Sequence, residues 1–337
     1  MSGPAVIGGA AADLVLDAGV LTDVPTCEWQ GWGAVVGRGG TAVLPWRSQA
    51  RAATAARVTN QVDALGMFGF AQAVVRIGKG RLATETDLSS AWQALAPSGR
   101  LLIAGTNDVG IATWAKRLSE QIGVPGEVLA NRAHGRVVAF PRTSATLPLS
   151  APRMVPLPDG TELHVAPGVF SSDGLDGGTK LLLHVLSEVD LPPDFAGNIV
   201  DVGCGAGHLG LAAARRWPAA QVTLLDADAR AVACAQANIP VAGLAGPRPT
   251  VTWWDEFDPW PVPDADLVLM NPPCHAGTTL DLSIARRLFA CAIGQRVLVV
   301  ANRQLAYEDD VRRIGEVECV ADDGRFKVLS VVRFAQY

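Results

Sequence analysis

No apolar run in this 337-residue chain reaches the roughly 18 residues that a membrane-crossing helix needs. The N-terminal stretch has no basic leader, and Asp13 and Asp17 interrupt its apolar residues. That argues against a secretory signal. No Cys-x-x-Cys pair occurs; Cys27, Cys204, Cys234, Cys274, Cys291 and Cys319 are scattered. Such spacing suits reduced cytoplasmic thiols rather than a disulfide framework or a zinc site, and no metal is expected. Charge is also sparse, at 18% against 49% hydrophobic residues, which excludes a disordered chain. The net charge of −5 gives no overall pull on nucleic acid. The two halves differ, however. Residues 1–150 carry 13 Lys and Arg against 10 Asp and Glu, or +3, and residues 151–337 carry 15 against 23, or −8. A mildly basic half beside an acidic one could bind RNA, although ordinary surface variation produces the same split.

The length allows two domains. Pro141, Pro148, Pro152, Pro156 and Pro158 fall in a stretch with no helical period, which reads as a linker. The expected division is a first domain over 1–145, a linker over 146–160 and a second domain over 161–337. In the second, a short strand is expected over 162–169 and a helix over 176–189. Strands over 198–202, 221–225, 251–254, 265–270 and 296–301 then alternate with helices over 208–216, 229–238 and 282–292. Alternation of this kind means a mostly parallel sheet covered by helices on both faces. A terminal hairpin over 317–334, turning at Asp322-Asp323-Gly324, adds antiparallel strands. The first half has the same rhythm. Helices are expected over 50–64, 87–95 and 111–122, strands over 71–77 and 100–105, and a hairpin over 127–140. Two halves of like order suggest duplication of one α/β fold.

Asp201-Val202-Gly203-Cys204-Gly205-Ala206-Gly207 follows an apolar strand and opens a helix. Glycines there permit backbone angles closed to other residues and let a ligand approach the main chain. Asp226 ends the next strand, 23 residues after Gly203, where a carboxylate can accept both hydroxyls of a ribose. Dinucleotide enzymes place a Gly-x-Gly-x-x-Gly turn against a pyrophosphate. Here the spacing is Gly-x-Gly-x-Gly, and Asp201 would repel a pyrophosphate. It suits a cationic amino-acid portion, so S-adenosylmethionine (SAM) fits better than NAD. Asp255 follows the third strand, where it could accept from an adenine amine or be simply a solvated loop acid.

Asn271-Pro272-Pro273-Cys274 ends the strand expected over 265–270. The proline after Asn271 pushes that residue into an extended form, and Pro273 stiffens the turn. Such a loop lies where open α/β sheets bind ligands. The Asn271 side-chain carbonyl and the main-chain carbonyls of the loop can accept both N–H bonds of an exocyclic amine. Alignment of that nitrogen with a sulfonium methyl group is then the main catalytic requirement.

Four segments carry a resemblance: 168–176 (GVFSSDGLD), 201–207, 271–275 and 324–328 (GRFKV). They resemble bacterial class I methyltransferases that act on guanine N2 of 16S ribosomal RNA, strongly over about 160–335 and faintly over 81–121. The resemblance implies two tandem Rossmann-like methyltransferase domains, each a seven-stranded-type sheet with a terminal antiparallel hairpin. The first is degenerate and serves to bind or position RNA. No Asp-x-Gly-x-Gly occurs before residue 200, and 37–40 and 105–107 are at best remnants of it. It implies that Asp201, Gly203, Gly205, Gly207, Asp226, Asp255 and Asn271 contact SAM, with Asp173 and Thr179 in the loop and helix start that cover it. Asn271, Pro272 and Pro273 would hold the target amine, with Cys274 and His275 on the substrate side. The guanine would have to leave its helix to enter the pocket. The implied partner is 16S rRNA or the small ribosomal subunit, met by a cytoplasmic, monomeric enzyme. The family usually has an aromatic residue after Pro-Pro, where this chain has Cys274. Loss of that stacking face would cost about 1–3 kcal/mol, unless a nearby tryptophan supplies one or the substrate differs. The alternative is a SAM-dependent N-methyltransferase for a small molecule or a protein amide. In the first half, Arg47, Arg51, Arg57, Arg76, Lys79 and Arg81 are candidates for phosphate contacts.

Overall fold

A computed structural model of the chain describes residues 15, 19–36, 38, 40–53, 58–60, 69–132, 134–148, 150–172, 174–246, 249–273, 275–276, 279–280, 282–291 and 294–334. It divides into two compact units, one ending at Ala151 and the other beginning at Pro152. Among the described residues no helix is long and apolar enough to cross a membrane.

The first unit runs β1 (Thr26–Trp29), β2 (Thr41–Val43), α1 (Arg47–Ala52), β3 (Val58–Thr59), β4 (Phe70–Arg76), α2 (Arg81–Ala94), β5 (Leu95–Thr106), α3 (Ile111–Ile122), β6 (Glu127–Arg132) and β7 (Gly135–Pro141). Its seven strands are ordered β3-β2-β1-β4-β5-β7-β6. The first five are parallel, and β7 is antiparallel to both β5 and β6. Helix α3 buries Ile111, Leu118 and Ile122 along one stripe and ends at Gly123, whose left-handed backbone lets its N–H reach the Ser119 carbonyl.

The second unit begins with the hairpin β8 (Arg153–Pro156) and β9 (Glu162–Val165), followed by α4 (Gly177–Glu188). Then come β10 (Asn198–Val202), α5 (His208–Arg216), β11 (Gln221–Asp226), α6 (Ala229–Val241), β12 (Thr250–Trp253) and β13 (Leu267–Met270). A two-stranded ribbon, β14 (His275–Ala276) and β15 (Thr279–Leu280), leads to α7 (Ser283–Cys291), β16 (Arg296–Asn302), α8 (Tyr307–Val311), β17 (Gly315–Asp322) and β18 (Phe326–Arg333). The sheet order is β12-β11-β10-β13-β16-β18-β17, the same pattern as in the first unit. Leu182, Leu186 and Leu211 of α4 and α5 cover one face, against Ile199, Leu224 and Leu267. Leu288, Phe289 and Tyr307 of α7 and α8 cover the other, against Val200, Val268 and Val297. Burial on both faces explains why these strands are continuous apolar runs rather than alternating ones.

Two expectations are corrected. The helix expected over 50–64 is short: α1 stops at Ala52, and Val58 and Thr59 pair with Ala42 and Val43 as an edge strand. Both are β-branched, and the neighbouring strand decides between helix and strand for so short a run. Part of the linker expected over 146–160 is strand β8, antiparallel to β9. A proline at an edge or terminal position does not prevent pairing.

Candidate active site

Strands β12, β11, β10 and β13 are neighbours and parallel, so their carboxyl ends share one edge. The chain first adds strands outward from β10 to β12 and then crosses back to β13. The reversal opens a crevice between β10 and β13. Asp201 lies in β10 beside it, and Asn271 follows β13.

The glycine turn is built as its sequence requires. Gly203, Gly205 and Gly207 have φ of 72°, 55° and 93°, all in the left-handed region that favours glycine. The N–H groups of Gly203 and Cys204 both donate to the Leu225 carbonyl, at 2.8 and 3.0 Å, which ties the turn to β11. Among the described residues outside the turn's own neighbours, nothing lies within 4 Å of a Cβ built on Gly203, and the Phe170 carbonyl, at 4.0 Å, approaches one on Gly205. At Gly207 packing adds to the backbone requirement: a Cβ there would also meet Leu211 at 2.9 Å.

Asp201 is buried, and its Oδ2 accepts from the Gly210 N–H at 2.8 Å. Its Oδ1 is buried and, among the described residues, has no hydrogen-bond partner. An unsatisfied buried carboxylate oxygen is costly, and a cationic amine at the turn would satisfy it. Burial pushes the Asp201 carboxyl up to about 7, against the opposing pull of the Gly210 N–H. Asp226 accepts from the Gly205 N–H through Oδ2 at 2.8 Å and from the Asp228 N–H through Oδ1 at 2.9 Å. Each oxygen keeps a lone pair for a further donor. Burial pushes this carboxyl up to about 6, with the Asp228 N–H opposing. Asp255 is buried after β12, and its Oδ1 accepts from the Phe257 N–H at 3.0 Å. This donor set, an orphaned acid at the turn and a second acid at the next strand end, fits an amino-acid-bearing nucleoside such as SAM.

On the other side of the crevice, the Asn271 Nδ2 donates to Asp176 Oδ2 at 3.2 Å and to Thr179 Oγ1 at 3.0 Å. Asp176 caps α4, accepting from the Thr179 N–H at 3.1 Å. Pro272 is buried and Pro273 exposed. Thr179, expected against the cofactor, therefore touches Asn271. Asp176 was missed as a site residue, although its place three residues before Thr179, at a helix start, is a capping signature. His208 was also missed. It begins α5, its buried Nε2 has no partner among the described residues, and burial lowers its imidazole to about 4, which keeps it neutral. Asp173 and Cys274 lie outside the described residues, as does the side chain of His275. Trp254 is buried in the core, and the Trp253 indole N–H is held by the Ala227 carbonyl at 2.9 Å. Phe170, 60% exposed on the turn that reaches Gly205, is an aromatic face open to a ligand.

The first turn of α4 allows no side chain at residue 177, because a Cβ on Gly177 would lie 2.7 Å from the Phe326 ring. Gly177→Ala is expected to cost about 1–3 kcal/mol through overpacking and to lower activity through the displaced Asp176. Thermal unfolding with a parallel activity assay checks this, and unchanged values for both would refute it.

Residues 160–330 match the family model for the methyltransferase small domain. A ribosomal RNA small subunit methyltransferase C from Pseudomonas paraeruginosa is 36% identical over 273 residues, covering 77% of this chain and 79% of that protein. The protein of the same name from Salmonella choleraesuis is 32% identical over 253 residues, covering 72% and 70%. The chain belongs to this methyltransferase family. Among solved structures, the T. thermophilus 16S rRNA N2 G1207 methyltransferase, in complex with AdoMet and guanosine, shares the fold. It has a TM-score of 0.82 at 23% identity and covers 97% of this chain and 92% of that one.

Both units of this methyltransferase follow one plan, so positions can be matched through strand register. Trp29 pairs with Val43 and Val75 as Val202 pairs with Leu225 and Met270. Gln30, at φ 62°, donates to the Val43 carbonyl at 3.2 Å as Gly203 does to Leu225. Glu28 then stands at the place of Asp201, Leu44 at that of Asp226 and Arg76 at that of Asn271. The counterpart of the glycine turn thus begins at Gln30 and not at the expected remnant over 37–40. Arg76 Nε lies 2.6 Å from Glu28 Oε1, and Glu28 Oε2 accepts from the Ala34 N–H at 2.6 Å. Arg76 is 2% and Glu28 0% exposed. A Cβ on Gly31 would meet both side chains. A buried ion pair stands where the second unit has Asp201 and Asn271, which removes Arg76 from the candidates for phosphate contact. Arg76→Ala should destabilise the first unit by about 3–5 kcal/mol, while Glu28→Leu with Arg76→Met should cost far less. Urea unfolding of the full chain tests this, and equal losses in both would contradict it.

The raised carboxyls of the second unit are expected to make SAM binding pH-dependent. Asp201 and Asp226 titrate above their ordinary 3.8 in the folded protein. Their contribution to stability is therefore complete below pH 3.8 and is lost as pH rises through about 6 and about 7. A cationic amine and hydroxyl donors favour the charged carboxylates instead. SAM affinity is expected to rise from about pH 5 to about pH 8, with proton release on binding. Calorimetry in two buffers of different ionisation enthalpy measures this; a flat profile with no proton release would count against it.

Proposed function

We propose that the protein transfers a methyl group from SAM to the exocyclic N2 amine of a guanine in 16S ribosomal RNA. The carrying observation is the state of the Asn271 amide. Its Nδ2 has two hydrogens, and both are taken, one by Asp176 and one by Thr179. The amide can offer only its carbonyl oxygen, an acceptor, to anything in the crevice. An acceptor there selects a donor, and an exocyclic NH₂ is one. SAM supplies a sulfonium methyl group that is already electrophilic. Asp201, Asp226 and the glycine turn would hold the donor, and Asp255 would accept from its adenine amine. Asn271 and the rigid Pro272-Pro273 turn orient the amine, so the gain comes from alignment in a confined crevice.

The relatives named above act on small-subunit ribosomal RNA, which supports RNA over a small molecule or a protein amide. The first unit, with a buried ion pair where the second has Asp201 and Asn271 and an excess of basic residues over acidic ones, positions the RNA. All the described side chains assigned to the site come from a single unit, which supports a monomeric enzyme.

The test is incubation with labelled SAM and 16S rRNA or small subunits, followed by nucleoside digestion. Label in N2-methylguanosine is expected. Label on another nucleoside refutes the target, and label only on a small amine or a protein amide selects the alternative.

A further inference from the structure

We infer that Asp176 and Thr179 are positioning residues that fix which way the Asn271 amide faces, and so restrict the methyl acceptor to a nitrogen that carries hydrogen. This rests on the role proposed for Asn271. A primary amide can turn over, exchanging its oxygen and nitrogen with little change of shape. A threonine hydroxyl tolerates either orientation because it both donates and accepts. A carboxylate does not, because it only accepts. With the amide reversed, Asn271 Oδ1 would face Asp176 Oδ2 near the present 3.2 Å, acceptor against acceptor. Asp176 therefore decides the orientation, and Thr179 takes the second hydrogen.

The device is anchored. The same Asp176 Oδ2 that accepts from Asn271 accepts from the Thr179 N–H, so the oxygen is held at the start of the 12-residue helix α4. Thr179 is 4% exposed. Gly177 lets that turn pack directly on Phe326 of β18. Donation to a charged acceptor also polarises the amide, which strengthens its carbonyl as an acceptor for the target amine.

The two contributions of Asp176 can be separated. Serine caps a helix about as well as aspartate but is one bond too short to keep the Asn271 contact. Asp176→Ser and Thr179→Val are each expected to lower the single-turnover methyl-transfer rate by about tenfold or more. The SAM dissociation constant and thermal midpoint should stay nearly unchanged. Asp176→Asn and Thr179→Ser, which retain an acceptor at each place, should recover much of the rate. Full rates in Asp176→Ser and Thr179→Val, beside an inactive Asn271→Ala, would overturn this inference alone. A fully active Asn271→Ala would overturn the underlying reading. A loss confined to SAM affinity would assign the pair to donor binding and also overturn the inference.

Discussion

Asn271→Ala is expected to reduce the methyl-transfer rate by about 10²–10³-fold while leaving SAM affinity within about threefold of the native value. The asymmetry follows from what the side chain touches. Its nitrogen is occupied by Asp176 and Thr179, and its carbonyl is the group left for the acceptor. Donor binding is expected to depend on the neighbouring strand ends, where the Asp201, Asp226 and glycine-turn hydrogen bonds do not involve residue 271. Truncation leaves the Asp176 cap on Thr179 in place, so the fold should lose only about 1 kcal/mol. Single-turnover transfer with labelled SAM gives the rate, and calorimetry gives the affinity. A variant that transfers at the native rate would remove Asn271 from the mechanism. One that fails to bind SAM would move it to the donor site.

The second large effect belongs to Asp226. Asp226→Ala should weaken SAM binding by about 100-fold or more, with much of the rate recovered at saturating donor. Two ribose hydroxyls donating to a carboxylate are worth about 1.5–3 kcal/mol each. The substitution also removes the acceptor for the Gly205 and Asp228 N–H groups, which loosens the turn. Asp226→Asn, which keeps one carbonyl oxygen, should fall between the two. The molecule contains a natural parallel: in the first unit Leu44 occupies the matching place, fully buried, beside the Glu28–Arg76 pair. Equilibrium titration of the variants measures the effect. An unchanged dissociation constant for Asp226→Ala would show that the ribose is held elsewhere.

Much of this architecture was legible before any coordinates. The strands at 198–202, 221–226 and 296–302 are short apolar runs bounded by turn residues, a pattern set by burial on both faces. The glycine spacing announced left-handed backbone at three positions, and all three have it. Failures came where a neighbour outweighed the local signal. Val58 and Thr59 follow a helical run but are claimed by the edge of β2. Arg153–Pro156 looked like proline-rich linker but pairs with Glu162–Val165. Gln30 carries no glycine signal, yet it takes the left-handed turn of its counterpart, because the Val43 carbonyl holds its N–H in place.

The order of residues alone determined the α/β plan of a sheet between two helix layers, its repetition, the glycine turn and the rigid Asn-Pro-Pro loop. Each of these is written in local pattern, in hydrophobic period, backbone permissiveness and turn stiffness, which act between residues close in the chain. Tertiary structure alone decided that Asp176, 95 residues before Asn271 in the chain, takes a hydrogen of its amide. It alone decided that one buried oxygen of Asp201 has no partner among the described residues, and that Arg76 pairs with Glu28 in the first unit. Those contacts join strand ends and helix starts far apart in sequence, and no local periodicity encodes a hydrogen bond across a sheet's carboxyl edge.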